Sequence, residues 1–153
     1  MNQNPITVRQ AHVQDVEAIT PLFDAYRQFY EQPADASGTA EFIRARLRHG
    51  ESIIFLASTA DGHVGFCQLY PSFCSVIAQR IGVLYDLFVS PAARQGGTGR
   101  ALIQAAEHYA QAVGWARLDL TTAKTNTQAQ ALYESQGWMR DEIFYAYNKI
   151  FGP

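Results

Sequence analysis

Cysteine and histidine, the residues that build disulfide frameworks and most structural metal sites, are scarce in this sequence. The 153 residues contain two cysteines, Cys67 and Cys74, and four scattered histidines. None of them recurs at the short spacing that zinc ligands show. We therefore expect neither a disulfide framework nor a bound metal ion.

An excess of charge and a long apolar run are missing as well. Twelve basic and fourteen acidic residues give a formal net charge of −2, which supplies no general field for attracting nucleic acid. The longest apolar runs, such as residues 53–57, are far shorter than the roughly 20 residues of a membrane-spanning helix. Residues 1–5 lack the features of a secretory signal. We therefore expect a cytoplasmic protein that binds neither nucleic acid nor a membrane, so an anionic ligand needs a local site.

Length and patterning indicate one α/β domain over residues 1–153. Hydrophobic residues make up 48% of the chain and charged residues 17%, a composition that supports a buried core. The spacing of apolar residues predicts the order β-α-α-β-β-β-α-β-α-β. Alternation of strands and helices in this order is typical of an α/β domain with a mixed sheet.

Some boundaries of these elements can be assigned to single residues. Asp15 is placed to cap the first helix and Thr39 the second. Pro21 lies inside the first helical pattern, so either that helix is kinked there or it begins later. The last strand is predicted over residues 143–148.

A glycine-rich turn joins an apolar strand, residues 81–89, to a helix. The turn reads Arg94-Gln95-Gly96-Gly97-Thr98-Gly99-Arg100. Its amides lie at the positive end of the helix dipole, and its glycines carry no Cβ that would hold a phosphate away from the backbone. The lysine and hydroxyl of a P-loop are missing, and Leu102 stands where a dinucleotide fingerprint has a small residue. The turn therefore favours an anion site of another kind, with a surface turn that merely starts a helix as the alternative.

Two motifs in this region resemble those of the GNAT superfamily of N-acetyltransferases. Arg94-x-x-Gly97-x-Gly99, preceded by Asp86-Leu87-Phe88-Val89-Ser90-Pro91, is similar to its acetyl-CoA pyrophosphate loop. Asn126-x-x-Ala129-x-x-Leu132-Tyr133-x-x-x-Gly137-Trp138 is similar to the pattern of its last helix, with Trp138 in place of phenylalanine. The resemblance implies the single-domain GNAT fold, a mixed and mostly antiparallel central sheet flanked by about four helices. It also implies acetyl-CoA as co-substrate.

The same resemblance implies a role for each matching residue. Those implied in acetyl-CoA binding are Leu87, Phe88, Val89, Arg94, Gln95, Gly96, Gly97, Thr98, Gly99, Arg100, Asn126 and Tyr133. Tyr133 corresponds to the general acid, and a core tyrosine is the alternative reading. Tyr85 stands where family members often carry a glutamate, so Asp86 is the nearest candidate for the general base. The carboxylate would relay the amine's proton through water or simply bind the cationic amine, and the alternative is that it satisfies backbone groups of the sheet.

Acceptor contacts in the family come largely from the first two helices and the turn after the third strand. Aromatic faces with a carboxylate suit a cationic amine, and the candidates here are Tyr26, Tyr30, Glu31, Tyr70 and Tyr85, with Phe23 and Phe73 beside them. Residues 86–91 and 144–149 faintly resemble the polyamine and diamine acetyltransferase branch. The prediction is acetyl transfer to a primary amine of a small molecule, polyamine-like or amino-acid-like, by direct attack in a ternary complex.

Other functions stay open at this point. One is a protein acetyltransferase that acts on lysine or N-terminal amines, and another is a regulator that binds acetyl-CoA without chemistry. Binding of a nucleotide phosphate is a third. An exposed C-terminal strand that pairs between subunits would make the protein a homodimer.

Overall fold

The structure, a computed structural model, describes residues 4–152. It divides into two compact units, one that ends at Thr121 and one that starts at Thr122. The first unit contains β1 (Thr7–Gln10), α1 (Val16–Phe29), α2 (Ala36–Arg48), β2 (Ile53–Thr59), β3 (Gly62–Cys74), β4 (Gln79–Val89), α3 (Thr98–Ala112) and β5 (Leu118–Asp119). The second unit contains α4 (Thr127–Ser135).

The five strands form one sheet in the order β1-β2-β3-β4-β5. Strands β1 to β4 pair antiparallel, and β5 runs parallel to β4. The predicted α/β class, with a mixed and mostly antiparallel sheet and four helices in the described part of the chain, is therefore confirmed. One domain over residues 1–153 stays a prediction, and residues 1–3 and 153 of that range lie outside the described residues. None of the described helices is both long and apolar enough to cross a membrane.

Helices α1 and α2 cover one face of the sheet and α3 covers the other. On the first face Ile19, Phe23 and Ile43 pack against strand residues such as Leu56 and Phe66 in one buried cluster. Burial of each such side chain contributes about 1.5–3 kcal/mol. Because side chains alternate along a strand, the residues between these face α3.

A glycine lets α3 approach the sheet closely. A Cβ on Gly65 would lie 2.7 Å from the Phe88 carbonyl oxygen and 3.3 Å from Leu102 Cδ1. A larger residue at position 65 would clash first with the backbone of β4 and would also crowd Leu102 of α3. This close packing holds the start of α3 at the end of β4.

The first helix begins at Val16 and runs through Pro21 to Phe29, so the proline does not delay its start. Asp15 precedes it, but no side-chain capping bond to α1 is formed, and that prediction was wrong. The Asp15 carboxylate instead accepts hydrogen bonds from the His12 amide at 2.8 Å and from the Arg9 guanidinium at 2.7 Å. A charged partner outcompetes the helix amides for the same oxygens.

The second helix is capped by Asp35, not by the predicted Thr39. Asp35 Oδ1 accepts a hydrogen bond from the Gly38 amide at 2.9 Å, which moves the helix start to Ala36. Thr39 lies inside the helix, and its hydroxyl donates to Asp24 Oδ1 of α1 at 3.3 Å. A tertiary partner on α1 therefore decided which of two capping residues begins the helix.

Residues 143–148, predicted as the last strand, are not in a strand in the structure. The Asp141 carboxylate accepts hydrogen bonds from the Ile143 amide at 2.7 Å and the Phe144 amide at 3.1 Å, which makes a local turn. A β-prone sequence forms a strand only where a neighbouring strand satisfies its backbone.

Candidate active site

A β-bulge in β4 places two consecutive side chains on the same side of the sheet. In the β3–β4 ladder Gln68 pairs with Asp86 and Leu69 pairs with Leu84, so Tyr85 is an extra residue on β4. Neighbours in a regular strand point to opposite faces. The extra residue breaks that alternation, and Tyr85 and Asp86 both line one pocket on the α1 and α2 side.

This pocket has a volume of about 420 Å³. Its walls are mainly aromatic, with a few polar groups, and its lining residues are Phe23, Tyr26, Arg27, Asp35, Gly38, Thr39, Phe42, Tyr70, Tyr85 and Asp86. The sequence analysis assigned no acceptor role to five of these residues, namely Arg27, Asp35, Gly38, Thr39 and Phe42. Phe42 has the helical spacing of a core residue, and the other four carry no local signal of an acceptor site.

Three of the five predicted acceptor residues, Tyr26, Tyr70 and Tyr85, meet at this pocket, and the structure does not bring the other two into its lining. The Tyr30 ring packs against the Tyr26 ring with centroids 5.1 Å apart. Glu31 is exposed and has a positive φ of 61°. The pocket therefore contains only part of the predicted set of acceptor residues.

Asp86 is a buried carboxylate, 6% exposed. Burial raises its pKa above the ordinary range, and side-chain hydrogen bonds from Gln68 and Tyr26 partly oppose that rise. The same environment raises the pKa of Tyr70 to about 12, first by burial and then through the negative charge of Asp86. Tyr70 therefore stays a neutral hydroxyl at physiological pH, whereas Asp86 is the group of this pair that can exchange a proton.

Gln68, a polar residue with no exposed surface, was not identified from the sequence. Its Nε2 donates to Asp86 Oδ2 at 2.8 Å. The signal that could have found it is a single polar residue within an apolar strand, a pattern that Asp86 also shows in β4. Two such residues on adjacent strands indicate a paired polar site.

The basic residue of the pocket is already paired. The guanidinium of Arg27 donates to Asp24 Oδ1 at 3.0 Å and to the Pro33 carbonyl at 3.2 Å. Asp24 is buried and also accepts from the Asp35 amide at 3.0 Å, a hydrogen bond that is the main cause of its lowered pKa. This network ties α1 to the start of α2 and neutralises the charge of Arg27.

The glycine-rich turn follows directly from β4. Gly97 precedes the first residue of α3 with φ of 90° and ψ of 0°, a conformation that favours glycine. The backbone amides of residues 95–100 donate no hydrogen bond to another group within residues 4–152. At the positive end of a 15-residue helix, such amides can hold an anion.

The two arginines of the turn are both exposed. Arg94 Nε donates to the Val89 carbonyl at 2.9 Å, and its guanidinium carbon lies 5.9 Å from the centre of the Phe88 ring. These contacts hold the guanidinium group of Arg94 against the end of β4. The Phe88 side chain itself belongs to the core. The predicted contact of Phe88 with acetyl-CoA would therefore be made by its backbone.

The outer edge of β4 is open beside this turn. Strand β5 pairs only with Gly82 and Val83. From Leu84 to Val89, β4 therefore has no strand partner on that side within residues 4–121. The predicted cofactor residues Leu87 to Val89 lie on this free edge, where backbone groups can bind an extended ligand.

Asn126 and Tyr133 lie in the second unit, on or next to α4. Asn126 caps α4, because its Oδ1 accepts from the Ala129 amide at 3.2 Å. Tyr133 packs against Trp138 with ring centroids 6.0 Å apart, and Gly137 ends the helix with φ of 87°. The second motif thus forms one local structure, a capped helix with an aromatic pair at its end.

Other parts of the described chain offer weaker sites. A wider groove of about 910 Å³ lies between the start of α1 and the ends of α2 and α3. Its lining contains no carboxylate, and it does not include the glycine-rich turn. Residues 4–152 contain no group of three or more metal-ligating side chains.

Comparison with known proteins places these features in a family context. The sequence model of the acetyltransferase (GNAT) family matches residues 19–138. An uncharacterized N-acetyltransferase of Bacillus subtilis (strain 168) is 44% identical over 142 residues, 93% of this chain and 95% of its own. A D-amino-acid N-acetyltransferase of Saccharomyces cerevisiae is 27% identical over 152 residues, 97% of this chain and 94% of its own. The crystal structure of a probable acetyltransferase has a TM-score of 0.90 at 34% identity and covers 96% of this chain and 99% of its own.

Proposed function

The chain belongs to the acetyltransferase (GNAT) family and is an N-acetyltransferase, and from this premise we propose that it acetylates a primary amine of a small molecule, polyamine-like or amino-acid-like. Acetyl-CoA, the family's co-substrate, supplies the activated acetyl thioester. The amine attacks it directly while both substrates are bound.

One observation carries this proposal. A buried carboxylate, Asp86, lines an aromatic pocket, and the strand that holds it runs on into a glycine-rich turn with free amides. The pocket suits a cationic amine, because aromatic faces and a carboxylate both attract positive charge. The turn suits a diphosphate. Continuity of β4 between the two sites supports a transfer between their ligands.

The amine has to lose a proton before it can attack. An alkylamine has a pKa of about 10.4, so making it neutral at pH 7 costs about 4–5 kcal/mol. Asp86 is proposed as the base, since burial raises its pKa and so improves its ability to take a proton. Tyr133 is proposed as the acid that protonates the departing thiolate, on the strength of its motif.

The co-substrate is assigned to groups that the structure leaves free. The amides of residues 95–100 and the two flanking arginines, Arg94 and Arg100, are proposed to hold the diphosphate. The open edge of β4 at residues 87–89 is proposed to bind the extended arm and to polarise the thioester carbonyl through a backbone amide. Asn126, which caps α4, is proposed to contact the co-substrate.

Charge in the pocket favours one of the two acceptor classes. An amino-acid acceptor brings a carboxylate close to its amine, and that carboxylate needs a basic partner. Arg27 is already bound to Asp24 and to the Pro33 carbonyl, whereas Asp86 carries no cationic partner among residues 4–121. This supports a polyamine-like amine over an amino acid, although the yeast relative acts on D-amino acids.

Steady-state acetyl transfer to a panel of amines tests the proposal. The panel holds diamines, polyamines, D- and L-amino acids, an aminoglycoside and lysine peptides. Asp86→Asn should lower kcat by about 100-fold or more, since general base catalysis contributes at least that much, and should remove the acid limb of the pH profile. Asp61→Asn, at an exposed carboxylate in the β2–β3 turn, is the matched control and should leave kcat unchanged.

The alternatives predict different results on the same panel. A protein acetyltransferase would acetylate the lysine peptides and leave the small amines untouched. A regulator would bind acetyl-CoA in calorimetry without turnover of any amine, and a nucleotide-binding protein would gain thermal stability from ATP or NAD rather than from coenzyme A. Each of these outcomes would contradict small-molecule acetylation.

We also propose that the protein is cytoplasmic and that it forms a homodimer. The support for the homodimer is a run of large apolar side chains that are 78–92% exposed, namely Met139, Ile143, Phe144, Tyr145, Tyr147, Ile150 and Phe151. Exposed apolar segments of this kind mark protein contacts. Light scattering of the native chain should give twice the monomer mass, and Phe144→Asp should shift it towards the monomer; a native monomer at micromolar concentration would contradict the dimer.

A further inference from the structure

A buried amide stands directly behind the proposed base. Gln68 pairs with Asp86 across the β3–β4 ladder at the position where the bulge begins. Its side chain has no exposed surface, and its Nε2 donates to Asp86 Oδ2 at 2.8 Å. Its Oε1 has no hydrogen-bond partner in the described structure.

This arrangement is costly for the fold. A buried acceptor that lost water and gained no partner destabilises the folded state. The neighbours of Gln68 on the same face include Phe66, which is buried in the apolar cluster, so an apolar side chain of similar length would suit the position better. What Gln68 contributes in return is its single donated hydrogen bond to Asp86.

We infer that Gln68 is a positioning residue for the reaction, which keeps the Asp86 carboxylate ionised and fixes its orientation at the acceptor pocket. The inference rests on the proposed role of Asp86 as base. An amide N–H can only donate, so it stabilises the charged carboxylate over the protonated form. Without it, burial would raise the pKa of Asp86 further, and a protonated carboxyl cannot accept a proton from the amine.

One other titratable group near Asp86, Tyr26, acts on the carboxylate in the same direction as Gln68. Tyr26 of α1 donates a second hydrogen bond to the carboxylate. Tyr70 of β3, whose pKa is raised to about 12, lines the pocket as a neutral hydroxyl, and Tyr85 of β4 lines it as well. Arg27 of α1 and Asp35 before α2 also line it, but Arg27 is held by the buried Asp24. Among residues 4–121, Gln68 and Tyr26 are thus the groups that hold the charge of Asp86.

The test compares the native protein with Gln68→Met, which keeps the side-chain length and removes the donor. The pH profile of kcat/KM is measured together with the carboxyl carbon resonance of Asp86 in ¹³C-aspartate protein. Loss of the donor raises the pKa of Asp86, so the acid limb and the carbon titration should both move upwards by about one pH unit. The control variant is Thr20→Val, which removes a buried hydroxyl that donates a hydrogen bond inside α1. It should move neither the acid limb nor the carbon titration.

A measurement on the unaltered protein covers the case in which Gln68→Met does not fold. The Nε2 protons of Gln68 should change chemical shift with the same inflection as the Asp86 carboxyl carbon. Side-chain amide protons that stay constant through that inflection would overturn the inference. If Gln68 had only a structural role, Gln68→Met would lower the melting temperature and would lower kcat evenly across pH, with no movement of the acid limb. That result would overturn the inference as well.

Failure of this inference can be told apart from failure of the proposed function. If Asp86→Asn is inactive while Gln68→Met keeps the native pH profile and carbon titration, only the role of Gln68 is wrong. If Asp86→Asn keeps full activity, Asp86 is not the base, and Gln68 then has no role in the reaction. The carbon titration reports the hydrogen bond in both cases, because it needs no acceptor amine.

Discussion

Replacement of Gly97 by alanine tests whether the glycine-rich turn needs its backbone conformation. Gly97 has a φ of 90°, and a residue with a Cβ pays roughly 1–2 kcal/mol to adopt the left-handed region. The nearest atom to the added Cβ would be Ile6 Cδ1 at 3.9 Å, so a steric clash contributes nothing. We therefore expect Gly97→Ala to lower the free energy of unfolding by about 1–2 kcal/mol.

The neighbouring glycine provides a matched control. Gly96 has no positive φ, and a Cβ there would lie 3.7 Å from the Ala93 carbonyl oxygen, an ordinary contact. Gly96→Ala should therefore stabilise the protein by about 0.4–1 kcal/mol through the lower entropy of its unfolded chain. Urea denaturation followed by tryptophan fluorescence measures both variants on one scale.

The two substitutions also separate strain from ligand contact. Either Cβ adds bulk where a diphosphate is proposed to meet the backbone, so both variants should raise the KM for acetyl-CoA. A loss of unfolding free energy, in contrast, is expected for Gly97→Ala and not for Gly96→Ala. Equal unfolding free energies for the two variants would refute the conformational argument, and an unchanged KM in both would refute the assignment of the turn to the co-substrate.

Three further predictions concern other parts of the chain. The Arg9 guanidinium lowers the pKa of Asp15 to about 2, so the stability difference between the native protein and Asp15→Asn in urea should be full above about pH 5 and be lost as the pH falls through about 2. A difference independent of pH would contradict the ion pair. Burial raises the pKa of Cys67 to about 12, so a thiol reagent should label Cys74 alone in the native protein and both cysteines in urea. Tyr133→Phe should lower kcat by about tenfold or more and leave the KM for acetyl-CoA unchanged. An unchanged kcat would mean that Tyr133 is a core residue and not the general acid.

Local patterns were enough to predict most of the secondary structure. The apolar runs of β2, β3 and β4 and the helical spacing of α1 and α3 are properties of neighbouring residues, and these elements form in the predicted order. Caps were harder, because Asp15 and Thr39 both found partners on other segments. The C-terminal strand failed for a related reason, since a strand depends on a partner that its own sequence does not contain.

The sequence by itself determined the family, the glycine-rich turn and the unusual carboxylate Asp86, because each is a matter of which residues follow one another. Only the tertiary structure decided that Tyr85 and Asp86 share a face, that Gln68 stands opposite the carboxylate, and that Arg27 is neutralised. A bulge is a mismatch between two strands, and a hydrogen bond across a ladder depends on their register. Neither quantity exists until strands that are distant in the chain lie side by side.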